Sequence, residues 1–298
     1  MLRSAICSSA REGYNLPIMT SLTDTLRAAE EIARGAGAIL REGARLADFS
    51  VDFKSSAIDP VTEYDRRSEA YIVGELRARF PQDSIVGEEG GTYARQHATD
   101  SGRRWHIDPL DGTVNFAHGL PQFSVSIGME DADGLALGVV YNPMVDELFA
   151  AARGLGATLN GRPIRPSRAT ELQRSLLITG FPYDRHTSEV NNFDNFVAFK
   201  RRAQAVRRLG SAALDLCYVA CGRADGYWEL KLGRHDMAAG IVVVREAGGV
   251  VTDFVGGDAL FARREAVASN GLIQGAMLEV LAEASRTMTP PPITSSPE

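Results

Sequence analysis

Between Phe123 and Leu159 apolar and polar residues alternate with period two, broken at Asp133-Gly134 and Asn142-Pro143 and closed by Asn160-Gly161. A period of two gives each strand one face for a core, and these dipeptides are turn formers, so the stretch predicts an antiparallel meander. Helices precede it. Leu26, Ala29, Ala33, Ala36 and Leu40 fall on one helical face of Leu22 to Leu40, with Gly43 as the expected stop and Ser21-Leu-Thr-Asp24 as a capping-box start. Asp48 to Lys54 reads as a strand, Thr62 to Phe80 as a second amphipathic helix ended by Pro81, and Ser84 to Val86 and Trp105 to Ile107 as short strands. The first half is therefore α+β.

After about Pro166 the texture changes. Strands are expected at Leu176–Thr179, Ala205–Arg208, Tyr227–Leu230, Val250–Asp253 and Ala266–Ser269, and helices at Asn192–Arg202, Ala212–Cys221, Met237–Glu246 and Gly275–Ser285. This alternation fits stacked layers of helix, sheet, helix, sheet and helix. The chain divides on this reading into an N-terminal α+β half, 21–165, and a C-terminal α/β half, 166–288. Residues 1–20 read as a disordered leader, because Met19 directly precedes a well-formed helix start, and the Pro- and Ser-rich residues 289–298 as a disordered tail.

Composition narrows the function classes. The chain has 298 residues, 44% of them hydrophobic, and a net charge of -6, which disfavours a nucleic-acid surface built from clustered Lys and Arg. Cys7, Cys217 and Cys221 make neither an even framework nor a zinc pattern, so a reducing, cytoplasmic home is expected. Apolar runs such as Ile241 to Val244 are far short of the roughly 20 residues of a membrane span. The first eighteen residues lack the apolar stretch of a secretory signal.

Chemistry concentrates in Trp105-His-Ile-Asp108-Pro-Leu-Asp111-Gly-Thr113-Val-Asn-Phe116, where an apolar strand runs into two carboxylates three residues apart. Hard divalent cations want oxygen ligands, and two such carboxylates can share one ion or bridge two, with the Leu110 carbonyl as a further ligand. Gly112 allows close backbone approach, and the amides of Gly112 and Thr113 would face a phosphate if a helix begins there. Three other acidic clusters stand out: Asp59-Pro-Val-Thr62-Glu-Tyr-Asp65 opens the second helix, Gly87-Glu88-Glu89-Gly90 follows a short strand, and Asp236 precedes Met-Ala-Ala-Gly240, several of them at strand-to-helix transitions. Each also has a plain structural reading, as a helix start, a solvated turn or an N-cap. Together they suggest one shared edge.

Lys54-Ser-Ser, Asp59 to Asp65, Gly87-Glu-Glu89, Asp108 to Phe116, and Asp236-Met-Ala-Ala-Gly240 with Glu246-Ala-Gly-Gly249 resemble, in order and spacing, the successive motifs of the inositol monophosphatase family. The resemblance covers roughly Leu22 to Leu281. It implies the layered αβαβα sandwich of the sugar phosphatases, a homodimer, and two or three magnesium ions per site. Glu88, Asp108 and the Leu110 carbonyl would hold a first ion, and Asp108, Asp111 and Asp236 a second, with Glu88 touching a weaker third. Thr113 with Asp65 would orient and polarise the attacking water. Asp111, Gly112, Thr113, Gly210, Ala213 and Glu229 match substrate-binding positions, and Lys54 matches a basic residue near the phosphate. Glu89 is a further candidate beside Glu88. Where many relatives carry Trp before the last Asp, this chain has Arg234-His235, and His235 reads either as a phosphate contact or as a surface imidazole.

The resemblance implies hydrolysis of a small phosphorylated polyol or sugar, inhibition by lithium, and inositol-1-phosphate as substrate, since Glu229 can accept hydrogen bonds from vicinal hydroxyls. Histidinol phosphate, fructose-1,6-bisphosphate and 3',5'-bisphosphate nucleotides are the rivals, and a non-catalytic or dual role on transcription machinery is the alternative of another class. Cys217 to Arg223 fits the Cys-x5-Arg spacing of cysteine phosphatases, but Tyr-Val-Ala-Cys between them continues a helical pattern, which makes both thiols core residues. Asp131-Ala-Asp133-Gly reads as a hairpin turn. The sequence contains no Gly-x4-Gly-Lys-Ser/Thr loop and no His-Glu-x2-His.

Overall fold

A computed structural model describes residues 21–46, 51–53, 60–94, 96 and 100–287. Its first helix, α1 (Leu22–Leu46), buries Ala28, Ala29, Ile32, Ala33, Ala36 and Leu40, one stripe at helical spacing. Ser21 Oγ accepts from the Asp24 amide at 3.1 Å, as the start signal predicts. The expected stop at Gly43 is not one. The helix runs through it to Leu46, because Gly43 faces the Tyr64 ring, which a Cβ would meet at 2.7 Å. Glycine there permits helix contact instead of ending the helix.

A short pair, β1 (Val51–Phe53) and β2 (Pro60–Thr62), leads into α2 (Glu63–Arg79), capped by Thr62 with Asp65 completing the box. Eight strands then form the larger sheet: β3 (Ser84–Gly87), β4 (Gly91–Tyr93), β5 (Arg104–Asp111), then after α3 (Thr113–Ala117) the meander β6 (Ser124–Asp131), β7 (Gly134–Asn142), β8 (Glu147–Ala152), β9 (Gly156–Leu159) and β10 (Arg162–Pro163). Their order is β10-β9-β8-β7-β6-β5-β3-β4, and only the β3–β5 pair is parallel. The Asp131–Gly134 hairpin turn is present, with the Asp133 amide bonded to Asp131 at 2.9 Å.

A 3-10 turn at Leu172–Arg174 precedes the second sheet. Its strands are β11 (Leu176–Thr179), β12 (Ala205–Arg207), β13 (Gly226–Leu230), β14 (Val250–Thr252) and β15 (Glu265–Ser269), in the order β12-β11-β13-β15-β14. Between them run α4 (Phe193–Lys200), α5 (Ala212–Ala220), α6 (Arg234–Ala247), α7 (Leu260–Arg263) and α8 (Gln274–Thr287). The layers are α1/α2, the eight-stranded sheet, α5/α6, the five-stranded sheet, and α4/α8, an αβαβα sandwich with three cores between them. The central helices are apolar all round, as a layer covered on both faces requires: every residue of α6 from Met237 to Val244 is buried.

Glycines set how closely α6 lies on the larger sheet. Gly128 and Gly138 pair across β6 and β7, and a Cβ on Gly138 would sit 2.7 Å from the Ala239 Cα. At the opposite edge, buried Trp105 donates from Nε1 to Asp83 Oδ2 at 2.8 Å, while Arg103 and Ser101 serve Oδ1. Trp105→Phe would strip Oδ2 of its donor in a fully buried side chain, so thermal or urea unfolding should register a loss of about 1–3 kcal/mol. An unchanged midpoint would reject this account of the edge.

Candidate active site

β5 is buried from Trp105 to Asp111, and its register against β6 shifts between Asp108 and Asp111. That irregularity lifts Pro109 and Leu110 out of the ladder and aims both carboxylates at the carboxyl end of the strand. Asp108 Oδ1 accepts from the Leu110 amide at 3.0 Å, and Ser68 Oγ donates to the Pro109 carbonyl at 2.9 Å. Gly112 follows with φ +99°, where a Cβ would also crowd the Gly210 and Gln122 carbonyls, so only glycine turns the chain here. α3 begins at Thr113, as expected. Thr113 Oγ1 lies 3.1 Å from Asp65 Oδ1 and 3.0 Å from the Leu110 carbonyl, and Asp65 Oδ2 is fixed by the Thr62 amide and hydroxyl.

Asp111 crosses to the central layer. Its Oδ2 accepts from Ser211 Oγ at 2.6 Å and the Ala213 amide at 2.8 Å, at the start of α5. A residue a hundred positions away thus caps this helix, while Ser211, the local N-cap, spends its hydroxyl on Asp111 and makes no cap of its own. Asp236 stands in the first turn of α6, at the third helical position rather than the expected N-cap. Gly233 is the cap residue, and its amide donates to Asp236 Oδ2 at 2.5 Å.

Glu88, Asp108, Asp111 and Asp236 share one electrostatic neighbourhood. Burial, then the charges of Glu88, Asp111 and Asp236, push the Asp108 carboxyl well above its ordinary range, and Asp108 and Glu88 share a hydrogen bond. Burial pushes Asp111 up to about 7, with Asp236 and Glu88 adding to the rise and the Ser211 and Ala213 donors opposing it. Asp236 is also raised, by burial first and then by Glu88, against the pull of His235 and Arg264. Among the described residues no three of these side chains form a closed cage, and Asp111 and Asp236 each turn an oxygen onto a backbone amide. What they form is a dense patch of like-charged oxygen donors, which is what a hard divalent cation would relieve and what zinc or copper, favouring nitrogen and sulfur, would not.

A cleft of about 300 Å³ opens beside this patch, lined by Asp111, Gly112, Gly210, Glu229 and Asp236 among the expected residues. Glu229 forms its wall. Tyr227 donates to Glu229 Oε2 at 2.7 Å, and burial pushes the Glu229 carboxyl up to about 7, with Asp236 raising it further and Arg208 opposing. The carboxylate lies where a Cβ on Gly180 would have to be, so Gly180 makes room for it. Ala213 is fully buried and reaches the site through its amide. His235 lies against Asp236, Nε2 to Oδ1 3.5 Å. Glu89 turns to another cavity, with Asp52, Arg66 and Glu69. Lys54 and Asp59 lie outside the described residues, as do the leader and tail.

Arg208, the Gly180–Asp184 segment and Lys231, whose Nζ binds Asp184 at 2.5 Å, were not expected at the site, because all line the cleft from loops with no motif. Ser211 was recoverable as a serine before a helical run. Cys217 is fully buried inside α5, and burial pushes its thiol well above the ordinary range, so it is not a thiolate nucleophile.

A model of the inositol monophosphatase family matches residues 21–289. The chain is 48% identical over 229 residues, 77% of its length and 79% of the relative's, to an inositol-1-monophosphatase of Synechocystis. It is 44% identical, over 82% of its length and 91% of the relative's, to the Nus factor SuhB of Pseudomonas aeruginosa. Among solved structures, the inositol monophosphatase of Anabaena superposes with a TM-score of 0.80 at 42% identity, covering 92% of this chain and 99% of that one. The extragenic suppressor protein suhB of Bartonella henselae superposes with 0.81 at 39% identity, covering 87% and 98%.

Proposed function

Because the chain belongs to the inositol monophosphatase family, we propose that it is a magnesium-dependent phosphomonoesterase acting on a small phosphorylated polyol, with inositol-1-phosphate as the substrate. One observation carries the reading: the buried Asp108 carboxyl lies among Glu88, Asp111 and Asp236, beside a cleft of ligand size. Glu88, Asp108 and the Leu110 carbonyl would hold one ion, and Asp108, Asp111 and Asp236 another, with Glu88 available to a third. When bound, such ions supply a water of lowered pKa and charge stabilisation for the phosphoryl and leaving oxygens.

The protein's own groups do the rest. The Thr113 hydroxyl has a single proton, engaged by Asp65 or by the Leu110 carbonyl, and so presents a lone pair that can take a hydrogen bond from a water. As that water attacks, its proton can pass to Thr113 while Thr113 passes its own to Asp65, a relay held in place by Thr62. The amides at the start of α3 precede its first helical bond, Phe116 to Gly112, and would be free to donate to phosphoryl oxygens. On the leaving-group side, Glu229 accepts from adjacent hydroxyls of the polyol, its orientation fixed by Tyr227. Arg208 adds a cation to the same wall.

The test is phosphate release from inositol-1-phosphate, histidinol phosphate, fructose-1,6-bisphosphate and adenosine 3',5'-bisphosphate at matched magnesium, with and without EDTA and lithium. Activity should vanish in EDTA, return with magnesium, fall with lithium, and favour the first substrate. Strong preference for the last compound would overturn the substrate assignment, and EDTA-insensitive turnover the metal assignment. Relatives named Nus factor SuhB motivate a second, compatible reading, contact with transcription machinery. A purely binding role has no use for a complete carboxylate set, so magnesium-dependent turnover separates it from catalysis. The homodimer implied by the family is checked by light scattering. Among the described residues no helix is long and apolar enough to cross a membrane.

A further inference from the structure

α2 turns three buried polar side chains, Asp65, Ser68 and Glu69, toward three different loops. Their spacing puts them on one face. Asp65 meets Thr113 at the start of α3, Ser68 holds the Pro109 carbonyl between Asp108 and Asp111, and Glu69 reaches the turn between β3 and β4 that carries Glu88. The first two touch groups already placed in the reaction. Glu69 has no such role, yet it is only 2% exposed.

Its carboxylate accepts three hydrogen bonds, from the Glu89 amide at 3.0 Å, the Gly90 amide at 2.6 Å and the Tyr93 hydroxyl at 2.7 Å. None of these partners is a cation. Burial, reinforced by Glu69, pushes the Tyr93 hydroxyl up to about 12, so it stays a donor at any physiological pH. The turn is shaped around the carboxylate: a Cβ on Gly87 would lie 2.6 Å from Glu69 Oε2, and one on Gly90 2.9 Å from Oε1. Gly87 and Glu89 flank Glu88 directly, so Glu69 grips the backbone next to it. An apolar side chain would fill this position with less desolvation cost than a carboxylate. What the carboxylate adds is direction, because three donors converging on two oxygens fix both the height and the rotation of the turn.

We propose that Glu69 is a positioning residue that sets the angle at which Glu88 faces Asp108, and thereby the affinity of the site for its divalent cation. The inference rests on the reading of Glu88 as a ligand. Groups that orient metal ligands typically contribute 10–100-fold to metal affinity. Glu69→Gln keeps size but has one acceptor oxygen in place of two, so one of the three donors would face an amide NH2 group. Tyr93→Phe removes one donor and leaves the carboxylate in place.

The experiment is calorimetric titration of Mn2+, without substrate, into the wild-type protein, Glu69→Gln, Tyr93→Phe and Glu88→Gln, with melting curves in EDTA and KM for substrate at saturating magnesium. Glu69→Gln should weaken Mn2+ binding about 10-fold or more, Tyr93→Phe should weaken it less, and KM should not move in either. Glu69→Gln and Tyr93→Phe binding Mn2+ like wild type, while Glu88→Gln does not, would overturn the positioning role alone. Wild-type affinity in Glu88→Gln would overturn the underlying ligand reading. A shift in KM equal to the shift in Mn2+ affinity would mark a general structural lesion and also reject the proposal. If Glu69→Gln fails to fold, Tyr93→Phe decides by the same criteria.

Discussion

Asp108→Asn should lower turnover by at least about 100-fold, the upper range for merely orienting a metal ligand, while leaving the metal-free protein as stable as wild type or more so. The two effects have opposite signs for one reason. Asp108 is buried among three other carboxyl groups, and both desolvation and their charge disfavour its ionised form. Asparagine keeps the oxygen that accepts from the Leu110 amide and removes the charge, so the fold loses a repulsion and no packing. The shared anionic donor between the two proposed cation positions is lost at the same time. Comparing kcat/KM with melting temperature in EDTA checks both halves. A variant that loses activity and also melts far below wild type would mean that Asp108 is a structural residue, and a fully active variant would remove it from the site.

Gly138→Val should be strongly destabilising, although it lies away from the carboxylates. Its side chain would be driven into the backbone of α6, with the Ala239 carbonyl carbon 2.8 Å from the new Cβ, and the partner glycine Gly128 already lies against Ala238. Overpacking typically costs about 1–3 kcal/mol, and contact with helix backbone rather than a movable side-chain tip places this case near ~3 kcal/mol. For a domain of this size that is a fall of roughly 6–12 °C in melting temperature. Because α6 carries Asp236 in its first turn, catalytic efficiency should fall as well. A melting temperature within a degree of wild type would show that the helix can move off the sheet freely.

The parts of this molecule that were legible in the sequence are those set by neighbours a few residues apart. The period-two meander, the helix start at Thr62 and the Asp131–Gly134 turn are local devices, and each appears where its spacing puts it. Asp65, Asp108, Asp111 and Asp236 were readable because strand-to-helix transitions carry them, whereas Glu88 stands in the turn between β3 and β4. Features set by distant contacts were not legible. Gly43 looks like a helix stop until Tyr64 is packed against it, and β4 is a three-residue strand that exists by pairing with β3. Asp236 resembles an N-cap, but its position depends on where the chain leaves β13. The capping of α5 by Asp111 joins residues a hundred positions apart, and no local rule reports it. Arg208 and the Gly180–Asp184 segment belong to loops, whose course is fixed by the sheets they bridge.

The two sheets contribute unequally around the cleft. Glu88, Asp108 and Asp111 stand on the larger sheet and its turns, whereas Gly180 to Asp184, Arg208 and Glu229 to Leu232 belong to the smaller sheet and its loops. The floor that would carry hydrolysis and the rim that would recognise the alcohol thus stand on separate sheets. Substitutions along the rim can retune which alcohol is accepted without disturbing a single floor carboxylate, whereas a lost floor carboxylate has no substitute on the rim.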